Sequence, residues 1–105
     1  MGVVMSTIIK LRTPIDQDGV KLEQIELRDI KTKDYVSLGP VLSLVVNRDG
    51  SSQVKEFPRV IIAYIVRLTG LTETEVEKLS LPDFMRLRDY VRDSLDFSSE
   101  PDSEI

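Results

Sequence analysis

The side chains that could do chemistry in this sequence are carboxylates and basic groups, because the chain contains no cysteine and no histidine. Three glutamates stand at alternate positions, Glu73, Glu75 and Glu77. A catalytic carboxylate pair needs an apolar surrounding that raises the pKa of one member, and no such pattern encloses these residues. Acidic residues are typical of a helix start, where the helix dipole favours negative charge. We therefore predict no catalytic residue, no cofactor site, no metal site and no enzyme activity.

A basic run near the C-terminus, Arg86, Arg88 and Arg92, could indicate a nucleic-acid surface. Aspartates alternate with these arginines, and the spacing predicts the helical pairs Asp83–Arg86 and Asp89–Arg92. The chain has 14 Lys and Arg against 18 Asp and Glu, a net charge of -4, and part of that excess lies in the last six residues. A nearly neutral folded body argues against phosphate binding. We expect no nucleic-acid partner.

Composition predicts one small globular domain. The 105 residues are 41% hydrophobic and 30% charged, which is ordinary for a folded protein of this length. No apolar run approaches the roughly 20 residues of a membrane-spanning helix, and residues 1–10 lack the features of a secretory signal. We expect a cytosolic protein without a membrane partner. We assign residues 1–95 to a single domain and residues 96–105 to a flexible acidic C-terminal tail.

The first quarter of the chain predicts a β-hairpin. Residues 5–12 and 20–28 are rich in β-branched residues or alternate apolar with polar side chains. Between them Pro14 is expected to set a turn, and Asp18-Gly19 are residue types that tolerate a positive φ. The alternation slips by one residue at Glu23-Gln24, which predicts a β-bulge. An isolated hairpin is marginal in water, so this one must pack on helices or on another chain.

The middle of the chain is the hardest part to interpret. Thr32 is a plausible N-cap for a short helix that stops at Gly39-Pro40. Residues 41–47, VLSLVVN, fit either a strand or a buried helix, and we favour the helix. Residues 47–53, NRDGSSQ, resemble part of a calcium loop but lack its spaced acidic ligands and closing glutamate. A plain polar loop is predicted there.

A helix is predicted from residue 57 to residue 69, with a proline in its first turn and Gly70 as its stop. Successive residues of an α-helix are rotated by about 100°, and this rotation places six apolar residues on one core-facing stripe. They are Phe57, Val60, Ile61, Tyr64, Ile65 and Leu68. Ile62 and Val66 fall on the opposite side. Either the helix is covered on both sides or these two residues form a patch for a partner.

Two more helices complete the prediction. Thr72 and Glu75 form a capping box for a short helix that ends near residue 79, and Ser80 with Asp83 begins a helix over residues 81–95 in a similar way. The expected shared core of the C-terminal helices is Leu68, Leu71, Leu79, Phe84, Leu87 and Val91. The whole chain is thus predicted to be α+β, an N-terminal β-hairpin followed by a small bundle of about four helices.

Four residues are candidates for partner binding: Ile62, Val66, Met85 and Tyr90. Met85 and Tyr90 flank the apolar stripe of the last helix. Methionine adapts to irregular surfaces and tyrosine is enriched at interfaces, so both suit the edge of a contact. Ordinary packing at the rim of the core is the alternative for this pair.

The order of several residues along the chain is informative. The set consists of Leu11, Pro14, Asp18-Gly19, Leu27-Arg28, Asp34, Leu68-Thr69-Gly70-Leu71, Leu79, Leu81, Asp83 and Leu87. This order resembles the small tail assembly chaperones of Mu-like and related contractile-tailed phages. In that family a hairpin precedes a helix ending in Leu-Thr-Gly-Leu, a short acidic helix and a last helix. The resemblance covers about residues 6–95, although residues 39–56 carry no matching motif.

The resemblance implies a non-catalytic factor of phage or prophage tail morphogenesis. Such a chaperone engages the tape measure protein, helps tail tube subunits polymerise around it, and is absent from the mature virion. We therefore expect the tape measure protein and the tail tube protein as partners in the host cytoplasm, and we also expect self-association. The alternatives are a small structural component of the phage tail and a DNA-linked phage regulatory protein.

Overall fold

The computed structural model describes residues 6–95 and divides them into two β-hairpins and four helices. In chain order the elements are β1 (Ser6–Gln17), β2 (Val20–Arg28), α1 (Thr32–Leu38), β3 (Leu42–Val46), β4 (Ser52–Glu56), α2 (Pro58–Thr69), α3 (Glu73–Glu77) and α4 (Leu81–Ser94). The α+β prediction, with its N-terminal hairpin and four helices, is confirmed. The second hairpin was not predicted, and the expected tail over residues 96–105 lies outside the described residues.

The first hairpin turns where the sequence predicted and bulges where it did not. Asp18 and Gly19 both have positive φ, 53° and 82°, as a two-residue hairpin turn requires. Pro14 does not set this turn but lies inside β1. The register passes from Lys10 opposite Gln24 to Ile15 opposite Leu22, so residues 11–14 of β1 stand opposite Glu23 alone and the irregularity belongs to β1 and not to β2. A proline cannot donate to the ladder, which explains why the irregularity falls on its strand.

Residues 42–46 form a strand, so the preferred interpretation of residues 41–47 as a helix was wrong. β3 pairs antiparallel with β4, with Leu44 opposite Val54. The turn between them is closed by Asn47, whose N–H donates to the Ser51 carbonyl at 2.7 Å and whose carbonyl accepts from the Gly50 N–H at 3.1 Å. Gly50 has a φ of 91°, which suits glycine. The turn and the partner strand decide the structure, and neither is visible in the periodicity of residues 41–47.

Helix α2 lies at the centre of the core. It contacts β2, α1, α3 and α4, and three of its side chains, Ile61, Tyr64 and Ile65, are fully buried in the core. It ends at Gly70, whose φ of 82° and N–H bond to the Val66 carbonyl confirm the predicted stop. The C-terminal core is confirmed at Leu68, Leu71, Leu79, Leu87 and Val91, whereas Phe84 is only partly buried. Within residues 6–95 no helix is long and apolar enough to cross a membrane.

Candidate partner-binding surface

Ile62 and Val66 lie on the floor of a shallow groove of about 390 Å³ on one side of α2. They are four residues apart, so they share one face of the helix. Leu38 at the end of α1 and Ala63 contribute further apolar surface. Both Ile62 and Val66 are half-buried, because their inner atoms also pack against the core. We call this surface the α2 groove. The side of α2 that carries Ile62 and Val66 is therefore partly covered and partly open, which lies between the two alternatives drawn from the sequence.

Two charged residues line the α2 groove. Arg67 donates to the Ser37 hydroxyl at 3.2 Å and lies 3.6 Å from the Asp34 carboxylate. Glu73 pairs with Arg59 at 3.2 Å. An apolar floor with a charged rim is typical of a surface that binds another protein.

Met85 and Tyr90 lie on α4 and do not line the α2 groove. Both side chains are half-buried. The Tyr90 hydroxyl donates to the Arg28 carbonyl at 3.3 Å, so it ties α4 to the end of β2. The four predicted partner residues therefore occupy two places, and only Ile62 and Val66 form a common recess.

Asp34 is a fully buried carboxylate that joins three elements. Arg28 at the end of β2 binds it with two nitrogens, at 2.9 and 3.0 Å, and the Lys31 N–H donates to it at 2.8 Å. The Arg28 hydrogen bonds hold the pKa of Asp34 well below its usual range, although burial opposes the shift. Because Arg67 also approaches Asp34, this carboxylate helps to fix the position of Arg67 in the α2 groove.

Asp83 is the second fully buried carboxylate, and it joins α4 to β1. It accepts the backbone N–H groups of Arg12 and Thr13 at 3.0 Å each, and it pairs with Arg86. Burial raises the pKa of Asp83, but these hydrogen bonds outweigh it and hold the pKa below its usual range. Arg86 also donates to the Lys10 carbonyl. Asp83 and Arg86 thus satisfy backbone groups in and beside the irregular stretch of β1, where the ladder with β2 is interrupted.

Carboxylates neutralise the arginines of the basic run of α4, but only one of the two predicted ion pairs forms. Of the two predicted pairs, that of Asp83 with Arg86 is confirmed. Asp89 pairs instead with Arg88 at 2.8 Å, and Arg92 approaches Glu56 of β4 at 3.5 Å. Each arginine of the run therefore lies within 4.0 Å of an acidic side chain.

Sequence reasoning missed the tertiary roles of Asp34 and Asp83, because Asp83 was interpreted only within its own helix and Asp34 only as a member of the ordered set. The Ser80 hydroxyl does accept the Asp83 N–H at 3.3 Å, as expected of an N-cap. The Asp83 carboxylate, however, turns to β1. A signal was available: Arg28, Asp34 and Asp83 all belong to the ordered set that carries the family resemblance. Among residues 6–95 no group of three acidic side chains is placed to hold a metal ion.

These features define a small α+β domain with one hairpin clamped to its helices by buried carboxylates and an apolar groove with a charged rim. The family model described as phage tail assembly chaperone proteins, E, or 41 or 14, matches residues 8–96. The chain therefore belongs to the phage tail assembly chaperone family. A search of curated proteins and a search of solved structures each found no match.

Proposed function

We propose that this protein is a non-catalytic chaperone that binds the tape measure protein through the α2 groove and promotes tail tube assembly around it. It acts in the host cytoplasm and is not retained in the mature virion. The single observation that carries the proposal is the recess over Ile62 and Val66, in a chain that belongs to a tail assembly chaperone family.

The groove suits an amphipathic helix, the form expected of a tape measure protein. Helix-in-groove recognition places apolar side chains of the ligand, three or four residues apart, into a hydrophobic recess. Ile62, Val66 and Leu38 supply that recess here. Arg67 and Glu73 also line it, so charged groups of the ligand can lie beside its apolar anchors.

The small size of the groove suits a chaperone that must dissociate from the tape measure protein. A recess of about 390 Å³ holds only a few side chains of a partner. Interfaces at the low end of the size range are typical of transient complexes. Tail tube subunits can then displace the chaperone as they polymerise around the tape measure protein.

The test is co-expression of the tape measure protein with variants of the chaperone, followed by affinity capture and thermal melts. Ile62→Asp or Val66→Asp places a charge on the groove floor and should abolish capture, with a lower melting temperature but a folded protein, because both residues are only partly buried. Val20→Asp is the matched control, because Val20 is 63% exposed at the hairpin turn, away from the groove. This control should capture the partner like the wild type.

Two outcomes would move or remove the proposed site. Normal capture by Val66→Asp would show that the groove is not used, and Met85→Asp would then test the surface beside Tyr90. If Ile62→Asp unfolds the protein, Ile62 is core, and Val66→Asp decides alone. Mass spectrometry of purified particles separates a chaperone from a structural tail component, because only the structural component stays in the virion.

A further inference from the structure

The second hairpin, β3-β4, carries an apolar face that residues 6–95 leave uncovered. Residues opposite each other in an antiparallel pair share a face, so Leu44 and Val54 lie together and Val46 lies beside them. These three side chains are 65%, 63% and 69% exposed, respectively. At its base the hairpin is held by Glu56, which approaches Arg88 and Arg92 of α4. A two-stranded sheet with an open apolar face is marginal in water.

The outer edge of β3 offers a complete set of backbone hydrogen-bonding groups. Asn47 bonds to Ser51 across the hairpin at one end, and the Val41 carbonyl accepts from the Phe57 N–H at the other. In an antiparallel ladder every second residue directs its N–H and C=O groups to the partner strand, so the backbone groups of residues 43 and 45 also point to β4. The N–H and C=O groups of Leu42, Leu44 and Val46 therefore point outward. In the described part of the chain β3 has no strand on that side.

The sequence of β3 is complementary to itself about Leu44. If two copies pair antiparallel across a two-fold axis, Leu44 faces the Leu44 of the other copy, and Leu42 faces the other Val46. The backbone groups of all three residues point outward, so each residue hydrogen-bonds to the other copy through both its N–H and its C=O. The paired side chains lie on the apolar face and cover one another, because residues directly opposite are in contact. No charge is brought near a like charge, since residues 42–46 are LSLVV.

The other strand edges fit this role less well. β4 contains Lys55 and Glu56, and its two-fold pairing about Val54 would place the Glu56 carboxylate beside Ser52 on the apolar face. β1 and β2 carry charged residues along both strands, and β1 is interrupted over residues 11–14. Charges and bulges are the features by which proteins protect exposed edges, and β3 has neither.

We propose that the edge of β3 joins two copies of this chain into a dimer with a continuous four-stranded antiparallel sheet, in the order β4-β3-β3-β4. The strand is only five residues long, so the interface is small and the dimer dissociates on dilution. The residues involved are separate from the α2 groove, and dimerisation does not depend on capture of the tape measure protein.

The first test uses the absence of cysteine in the chain, which makes a single introduced thiol unique. In the proposed sheet two Leu44 positions lie roughly 5 Å apart, whereas two Val54 positions lie roughly 14 Å apart, three strand spacings. A thiol cross-linker shorter than about 10 Å should therefore link Leu44→Cys into a covalent dimer and leave Val54→Cys monomeric. The two positions are equally exposed and lie on the same face, so they are matched. Equal linking of both variants, or linking of neither, would overturn the proposal.

The second test removes a hydrogen bond that only the dimer makes. The N–H of Leu44 points away from β4, so Leu44→Pro leaves the ladder within the chain intact and should abolish the dimer seen by light scattering over a dilution series. Val54→Pro is the control, because its N–H also points outward but on the unused edge. The control should stay dimeric, and both variants should melt like the wild type at a concentration low enough for the wild type to be monomeric. A dimeric Leu44→Pro, or a wild type that is monomeric at every concentration, would refute the pairing.

Discussion

Replacing Asp83 by alanine tests the clamp between α4 and β1 most directly. The Asp83 carboxylate accepts two backbone N–H groups, from Arg12 and Thr13, at 3.0 Å each. A hydrogen bond to a charged group contributes about 1.5–3 kcal/mol. Arg12 and Thr13 are exposed residues whose N–H groups can reach water once the carboxylate is gone, so the low end of that range applies. The lost ion pair with Arg86 adds little, because Arg86 is 42% exposed.

The expected loss in the free energy of unfolding is therefore about 3 kcal/mol, a large part of the ~5–15 kcal/mol typical of a domain. Urea unfolding followed by circular dichroism measures it, as a fall in the midpoint of about 1–3 M. Asp93→Ala, at an exposed position of the same helix, is the matched control and should stay within about 0.5 kcal/mol of the wild type. Amide exchange should also speed up at Arg12 and Thr13. If the midpoint of Asp83→Ala moves no more than that of the control, β1 is not held by this carboxylate and the reasoning fails.

Two further predictions follow from burial and charge. The pKa values of Asp34 and Asp83 lie below the ordinary value of 3.8, so the unfolded state takes up protons before the folded state does. Stability should be complete above about pH 5 and fall as the pH drops below about 4, and urea midpoints across this range should show a weaker pH dependence in Asp83→Ala than in the wild type. Leu87 is fully buried and Phe84 is not, so Leu87→Ala should cost about 2–5 kcal/mol and Phe84→Ala less than its fully buried expectation of about 3–5 kcal/mol. If Phe84→Ala lowers the free energy of unfolding by more than Leu87→Ala does in the same urea assay, the observed packing is contradicted.

Local sequence signals located the elements whose ends are set by neighbouring residues. Asp18-Gly19 gave the hairpin turn, Gly70 the end of α2, and Thr72 with Glu75 the capping box of α3, which the hydrogen bonds between these two residues confirm. These signals work because a turn or a cap is decided within four residues. The start of α1 was misplaced by one residue, since Lys31 and not Thr32 is the N-cap.

Amphipathic periodicity also determined which face of α2 is buried, and it drew attention to Ile62 and Val66 on the other face. It did so because the hydrophobic effect acts on whichever stripe of the helix is apolar, whatever the helix packs against. Only the tertiary structure decided the rest. Residues 42–46 became a strand because β4 supplies hydrogen bonds across the turn, and the irregular stretch of β1 is satisfied because Asp83, some 70 residues away along the chain, accepts its freed N–H groups. The groove over Ile62 exists because Leu38 at the end of α1 and Glu73 of α3 come beside α2. Such contacts depend on which distant segments come together in space, and no pattern within a short window of sequence contains that information.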